Sequence, residues 1–189
     1  ELHFDERKFR TVHEVRLKSS TLTFTGRGLE ADDTLRQVTI SENGHVSGLL
    51  ADPRTGIKEA SKKPHLDFRS PGPMTVREIE KGVRFLIQGT GGTRIHIIEA
   101  DTEVDVLCES AAILARKTPK EAEVDLVALS GFPVVTMGTN RIRSCSGTID
   151  RLNGRTEFIG NVEAVLSSAA NQPPVHVRAD RLVQYGEWI

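Results

Sequence analysis

The sequence is short of methionine, tryptophan and tyrosine, with two, one and one residues, and it carries only two cysteines in 189 positions. No apolar run approaches the roughly 20 residues that a membrane-spanning helix needs. Neither sign of charge is in excess, since 25 Lys+Arg stand against 26 Asp+Glu. Each shortage excludes something. Balanced charge argues against a nucleic-acid-binding strip, which requires clustered positive excess. Cys108 and Cys145 belong to no Cys-x-x-Cys and to no Cys/His cluster with zinc spacing, so no metal site is expected. They are either two free thiols or one disulfide, the latter implying an oxidising compartment. The chain opens Glu1-Leu2-His3-Phe4-Asp5, which reads as a fragment whose targeting or anchoring segment lies upstream.

What the sequence has instead is β-branched residues. Val, Ile and Thr number 17, 12 and 16, close to a quarter of the chain. Such side chains suit a pleated, half-buried surface. Alternation with period two recurs in Leu22-Thr23-Phe24, Val38-Thr39-Ile40, Arg94 to Ile97, Val104 to Val106, Thr156 to Ile159 and Val175 to Ala179, and each run predicts a strand. Turn signals punctuate them: Asn43-Gly44, Asp52 to Gly56, Lys81-Gly82, Gly89-Thr90-Gly91-Gly92 and Asn153-Gly154. Asn-Gly supplies the two positive-φ positions of a tight hairpin, so hairpins are predicted at both such sites. Helix signals reduce to one short turn at Thr118-Pro119-Lys120-Glu121. The capping-box pattern Thr75 to Glu78 fits a hairpin across Lys81-Gly82 better, given its surroundings. The stretch from Lys62 to Pro73, ending Ser70-Pro71-Gly72-Pro73, reads as a long loop or as the seam between two halves of the sheet. The fold class is therefore all-β: one domain over residues 1–189, an antiparallel sheet of many short strands with at most one helical turn.

Catalytic constellations are weak. The Gly89–Gly92 stretch lacks the Gly-Lys-Ser/Thr ending of a phosphate loop and precedes a strand, so it reads as a turn. Glu30, Asp32 and Asp33, and the set Glu99, Asp101, Glu103 and Asp105, read as solvated strand faces in preference to a calcium or paired-carboxylate site. The histidines 3, 13, 45, 65, 96 and 176 form no HxH or HxxxH and no triad order. Arg141, Arg143, Arg151 and Arg155 are the densest positive cluster, a solvated face or a contact for lipid phosphates.

Residues 31–43 lie over 149–161 without a gap at an offset of 118, matching Asp32 to Asp150, Val38 to Thr156, Ile40 to Phe158 and Asn43 to Asn161. A hairpin-sized repeat follows from this, with its best copies at about 26–47 and 140–183. The string from Cys145 through Asp150, Asn153-Gly154 and Gly160-Asn161-Val162, with Ala179-Asp180-Arg181-Leu182, resembles the OstA-like repeat of the lipopolysaccharide-transport bridge family (LptA/LptC-like). The resemblance implies an antiparallel sheet folded into an open V-shaped or jelly-roll trough with an apolar lining. It implies stacking on other OstA-like domains, or on itself, through edge strands. It implies a non-enzymatic periplasmic role in outer-membrane biogenesis: carrying the acyl chains of lipopolysaccharide or a related lipid without a cofactor, with an inner-membrane anchor upstream. Val38, Ile40, Phe158 and Val162 are the lining candidates, and they equally fit a closed core. Two other classes stay open. One is an adaptor that binds a protein through its edge strands; the other is an enzyme acting on envelope carbohydrate with carboxylates such as Asp101 or Asp150.

Overall fold

The computed structural model describes residues 3–5, 8–18, 22–34, 36–49, 65–80, 84–99, 102–117, 122–167 and 173–186. Every regular element among them is a strand: β1 (His3–Asp5), β2 (Lys8–Lys18), β3 (Leu22–Asp32), β4 (Gln37–Leu49), β5 (His65–Ser70), β6 (Met74–Glu80) and β7 (Arg84–Glu99). β8 (Thr102–Lys117), β9 (Ala122–Ser130), β10 (Val134–Met137), β11 (Asn140–Arg143), β12 (Ser146–Asp150), β13 (Arg155–Leu166) and β14 (Val175–Tyr185) complete one antiparallel sheet.

Short strands alternate with long ones. β7 and β8 run 16 residues each, about 50 Å at the usual rise and beyond the ordinary strand length. Their length becomes intelligible once β5 with β6, β9 with β10, and β11 with β12 are seen as single strands cut in the middle. β5 pairs with the second half of β4 (Ser70 opposite Gly44) and β6 with the first half (Met74 opposite Ile40), so both halves lie against one neighbour. β9 and β10 share β8 in the same way, with Ser130 opposite Ser110 and Val134 opposite Leu107. The result is an up-and-down meander. Because two cut strands lie between two that run through, the pairing closes a six-strand ring, β8–β10–β11–β13–β12–β9, and the other strands extend the sheet beyond it.

The interruptions line up. Register shifts fall between Thr11 and Glu14, Thr25 and Arg27, Thr90 and Thr93, and Ile159 and Val162. Single backbone bonds carry the ladder across: Asn43 N–H to the Pro71 carbonyl (3.0 Å), Gly72 to Thr90 (3.1 Å), Glu109 to Gly131 (3.2 Å), Phe132 to Cys145 (3.3 Å) and Cys145 to Gly160 (2.8 Å). A line of bulges bends every strand it crosses. This crease divides the sheet into two leaves.

One face of each leaf is buried. Ile40, Met74, Ile87, Ile113, Val127 and Phe158 on the first leaf join Val46, Leu66, Phe68, Ile95, Val106 and Val135 on the second in one core cluster. No helix or second sheet among the described residues covers that face, so it is buried against itself. Folding the sheet at the crease is how a single layer removes its apolar side from water.

Several local readings change. Asn43-Gly44 is not a hairpin but the middle of β4. Only Asn43 has positive φ (51°), whereas the tight hairpin needs two such residues. Gly44 is there for room, since a Cβ on it would lie 2.6 Å from Met74 Cβ. Gly89–Gly92 is likewise no turn: Gly91 and Gly92 (φ 82° and 95°) form the bulge within β7. Asn153-Gly154 does sit in a chain reversal, but a four-residue one, residues 151–154, in which Gly154 (φ 55°) and not Asn153 has positive φ, so the tight two-residue turn is not formed there either. The pairing of Glu80 with Arg84 fits a hairpin across Lys81-Gly82, whose turn residues lie outside the described set. The 62–73 stretch resolves into β5 from His65 and, at Pro71-Gly72-Pro73, the seam itself. Asp52 to Gly56 and Thr118 to Glu121 also lie outside the described residues. Glu99 ends β7 while Glu103 and Asp105 stand on β8, so the acidic set is split by a chain reversal.

Candidate functional site: the inner face

Alternation carries the four lining candidates inward. Val38, Ile40, Phe158 and Val162 are 9, 1, 2 and 1% exposed. Ile40, Phe158 and Val162 belong to the main core cluster. Val38 packs in a second cluster with Leu29 and Ala31, against Val15 and Leu17 of the opposite leaf. Large side chains occupy the centre, Phe68 and Phe158 among them, both buried. Gly89 and Gly147 have ordinary φ, yet a Cβ on either would come within 2.8 Å of the Phe68 or Phe158 ring respectively. Each glycine is a notch that seats an aromatic ring over a neighbouring strand, the packing that protects glycines in sheets.

The interior loosens towards both outer strands. On β2 and β14 no residue is fully buried. Val15 and Leu17 at one end, and Val177 and Leu182 at the other, are half-buried against the core clusters. These edge residues are the part of the apolar face that sequence reading missed as a lining, although Val175-His176-Val177 carries their period-two signal. The edges are also open in backbone terms. β14 pairs only with β13 among the described residues, and β1 covers β2 only from Lys8 to Arg10.

The outer face is polar and largely self-neutralised. His45 Nε2 lies 2.7 Å from Asp67 Oδ2, and Arg69 Nε donates to Asp67 Oδ1 at 2.8 Å. Partial burial pushes the Asp67 carboxyl up, but the hydrogen bonds and charges of Arg69 and His45 outweigh it and hold the group below the usual carboxylate range. His96 Nδ1 lies 2.8 Å from Asp105. Glu157 is shared by Arg155 and Arg181. The basic cluster read from sequence is therefore dispersed: Arg141 and Arg143 stand on β11, Arg151 is in a turn, and Arg155 is committed to Glu157.

Asp150 caps its turn, accepting from Asn153 N–H at 3.0 Å and from its side-chain amide at 2.8 Å. Those bonds hold its carboxyl below the ordinary range. That occupies the acid offered for carbohydrate chemistry, while Asp101 lies outside the described residues. Asp32 plays the matching part, accepting from Arg36 N–H at 2.7 Å. The residues superposed by the 118 offset, Asn43 and Asn161, share left-handed φ of 51° and 48° at the crease. Cys108 and Cys145 are free thiols, not a disulfide. Cys108 is buried, and desolvation, aided by the charge of Glu109, pushes its thiol up to about 11, so it stays protonated and inert.

No group of three or more metal-ligating side chains occurs among the described residues, and no helix there is long and apolar enough to cross a membrane. No protein-family model, curated protein or solved structure matches this chain.

Proposed function

We infer that the chain is a non-enzymatic, OstA-like lipid carrier or bridge component of the cell envelope, holding acyl chains against the inner face of the creased sheet. One observation carries the reading: apolar side chains, packed in two clusters, run along the inner face from β2 to β14 and stay half exposed at both edge strands, where an acyl chain can enter. Each methylene moved from water onto that face gains about 0.8 kcal/mol. Reaching the centre requires the leaves to part at the crease, because Phe68 and Phe158 occupy it. Strand edges that have no partner among the described residues, at both ends, support end-to-end stacking by strand addition. A periplasmic location belongs to the same proposal.

The filled centre favours a second reading, an adaptor that uses only its edges. A photocrosslinking residue at Leu182 or at Phe158, exposed to lipopolysaccharide, separates the two. Lipid adducts at Leu182 and Phe158 with none at the outward Arg178 are expected. Absence of adducts at both inward positions removes the carrier reading and leaves the adaptor.

A further inference from the structure

The second leaf carries a groove of about 520 Å³ on its outer, polar side, away from the inner face discussed above. It is assembled from β5, β7, β8, β10 and β11. Among its lining residues are Arg69, Arg94 and Arg141 against Asp67 and Asp105. Both acids are already engaged, Asp67 by His45 and Arg69 and Asp105 by His96. Arg94 and Arg141 are exposed and have no ion-pair or hydrogen-bond partner among the described residues. Arg94 also stands directly opposite Arg69 in the β5–β7 register, but Asp67 is taken up by Arg69 and His45, so among the described residues Arg94 is left without a carboxylate of its own. From Arg94 the cross-strand row continues to Leu107 and Val134. Leu107 is 47% exposed. Thr136, register partner of Arg141, adds a hydroxyl.

Arg94 and Arg141 are three strand spacings and two residues of register apart, about 16 Å along the sheet, a gap that two extended arginine side chains and an anion between them can close. One bidentate fork saturates a carboxylate. A phosphate monoester offers three oxygens and nearly two charges, and so can accept from both forks at once. Between them the groove carries Leu107 and Val134 on the row of Arg94, and Thr136 and the His96-paired Asp105 on the row of Arg141; the apolar pair suits the carbon skeleton that bears the phosphate. We propose that this groove is a binding site for a phosphate monoester, read by Arg94 and Arg141. The site is independent of the inner face, and its failure would leave the carrier reading standing.

The phosphate can reside on a soluble ester or on a lipid headgroup, and two probes distinguish them. The full chain is titrated with inorganic phosphate, following its melting temperature and the heat of binding. It is also sedimented with phosphatidylcholine vesicles, with and without phosphatidate. Phosphate should bind saturably and raise the melting temperature by linkage. R94Q/R141Q should weaken binding by about tenfold or more, as expected for losing two charge-assisted forks. R178Q, an exposed arginine paired with Glu163 outside the groove, should bind as the parent does. Binding to free phosphate alone assigns a soluble ester, and phosphatidate-dependent sedimentation lost in R94Q/R141Q assigns a lipid headgroup. Both arginines are on the surface, and an unchanged circular dichroism spectrum verifies that the variant folds. The proposal is overturned if neither probe binds saturably, or if R94Q/R141Q binds both as the parent does.

Discussion

The strand made of β5 and β6 and the strand made of β9 and β10 are each cut by three residues at the crease, yet the two breaks are built differently. Pro71-Gly72-Pro73 supplies two residues with no N–H, and Gly72 keeps a φ outside the left-handed region. Glycine is needed there for space, because a Cβ would lie 2.5 Å from the Thr90 carbonyl oxygen. The buried Ser70 hydroxyl then ties the break, donating to that carbonyl at 2.7 Å and accepting the Thr90 N–H at 3.0 Å. Gly131-Phe132-Pro133 instead turns through two left-handed residues, φ 73° and 57°. The difference teaches that the crease demands a local lapse of the ladder and room for the neighbouring strand, not one sequence motif. Any chemistry that provides both will serve.

The comparison is broken most forcefully at the glycines. Gly131→Ala should cost about 3–5 kcal/mol, because it adds left-handed strain to a Cβ placed over the neighbouring strand; that Cβ would lie 2.1 Å from Glu109 Cβ. Gly72→Ala carries only the steric part, about 1–3 kcal/mol. Chemical denaturation of the two variants should rank them in that order, and a reversed ranking would mean that the clash with the Thr90 backbone carbonyl at Gly72 outweighs both the strain and the contact at Gly131. Ser70→Ala should cost about 1–2 kcal/mol by leaving the Thr90 carbonyl without its hydroxyl donor. A Ser70→Ala midpoint equal to that of the parent protein would show that the first break holds without its tie. The smallest effect has the opposite sign. Phe132 is 75% exposed and pays for left-handed φ with little burial, while Asn43 and Asn161 adopt that conformation at other strands. Phe132→Asn should therefore stabilise by about 0.5–1 kcal/mol. A loss of stability would mean that the ring makes a contact worth more than the strain.

These breaks also mark where the sequence stopped being legible. Period-two alternation revealed the all-β class and the inward parity of Val38, Ile40, Phe158 and Val162, because parity is a local property. It did not reveal strand length. Positive φ at Asn43, Gly91 or Gly131 looks the same in sequence whether the chain reverses or only bends, and the outcome depends on which strand lies alongside. Bulges add a further concealment. On β8 the inward residues are Val106 and Cys108, then Ala111 and Ile113. The parity switches at the crease, so one continuous strand imitates two. The outer groove was invisible for a simpler reason: Arg69, Arg94 and Arg141 are brought together by five strands, and no spacing along the chain announces it.

The meander has one more consequence. Because each long strand pairs only with the strands next to it in the chain, no ladder ties distant parts of the sheet together, and strands are most easily released from its ends. Amide exchange should then form a gradient, slowest around β7 and β8 and fastest on β2 and β14, since the outer strands can peel away without disturbing the middle. The same connectivity makes the architecture extensible. Another hairpin with a bend at mid-height could be added at either end and continue the crease, so the length of the trough is set by how many hairpins the chain encodes and not by any closure condition.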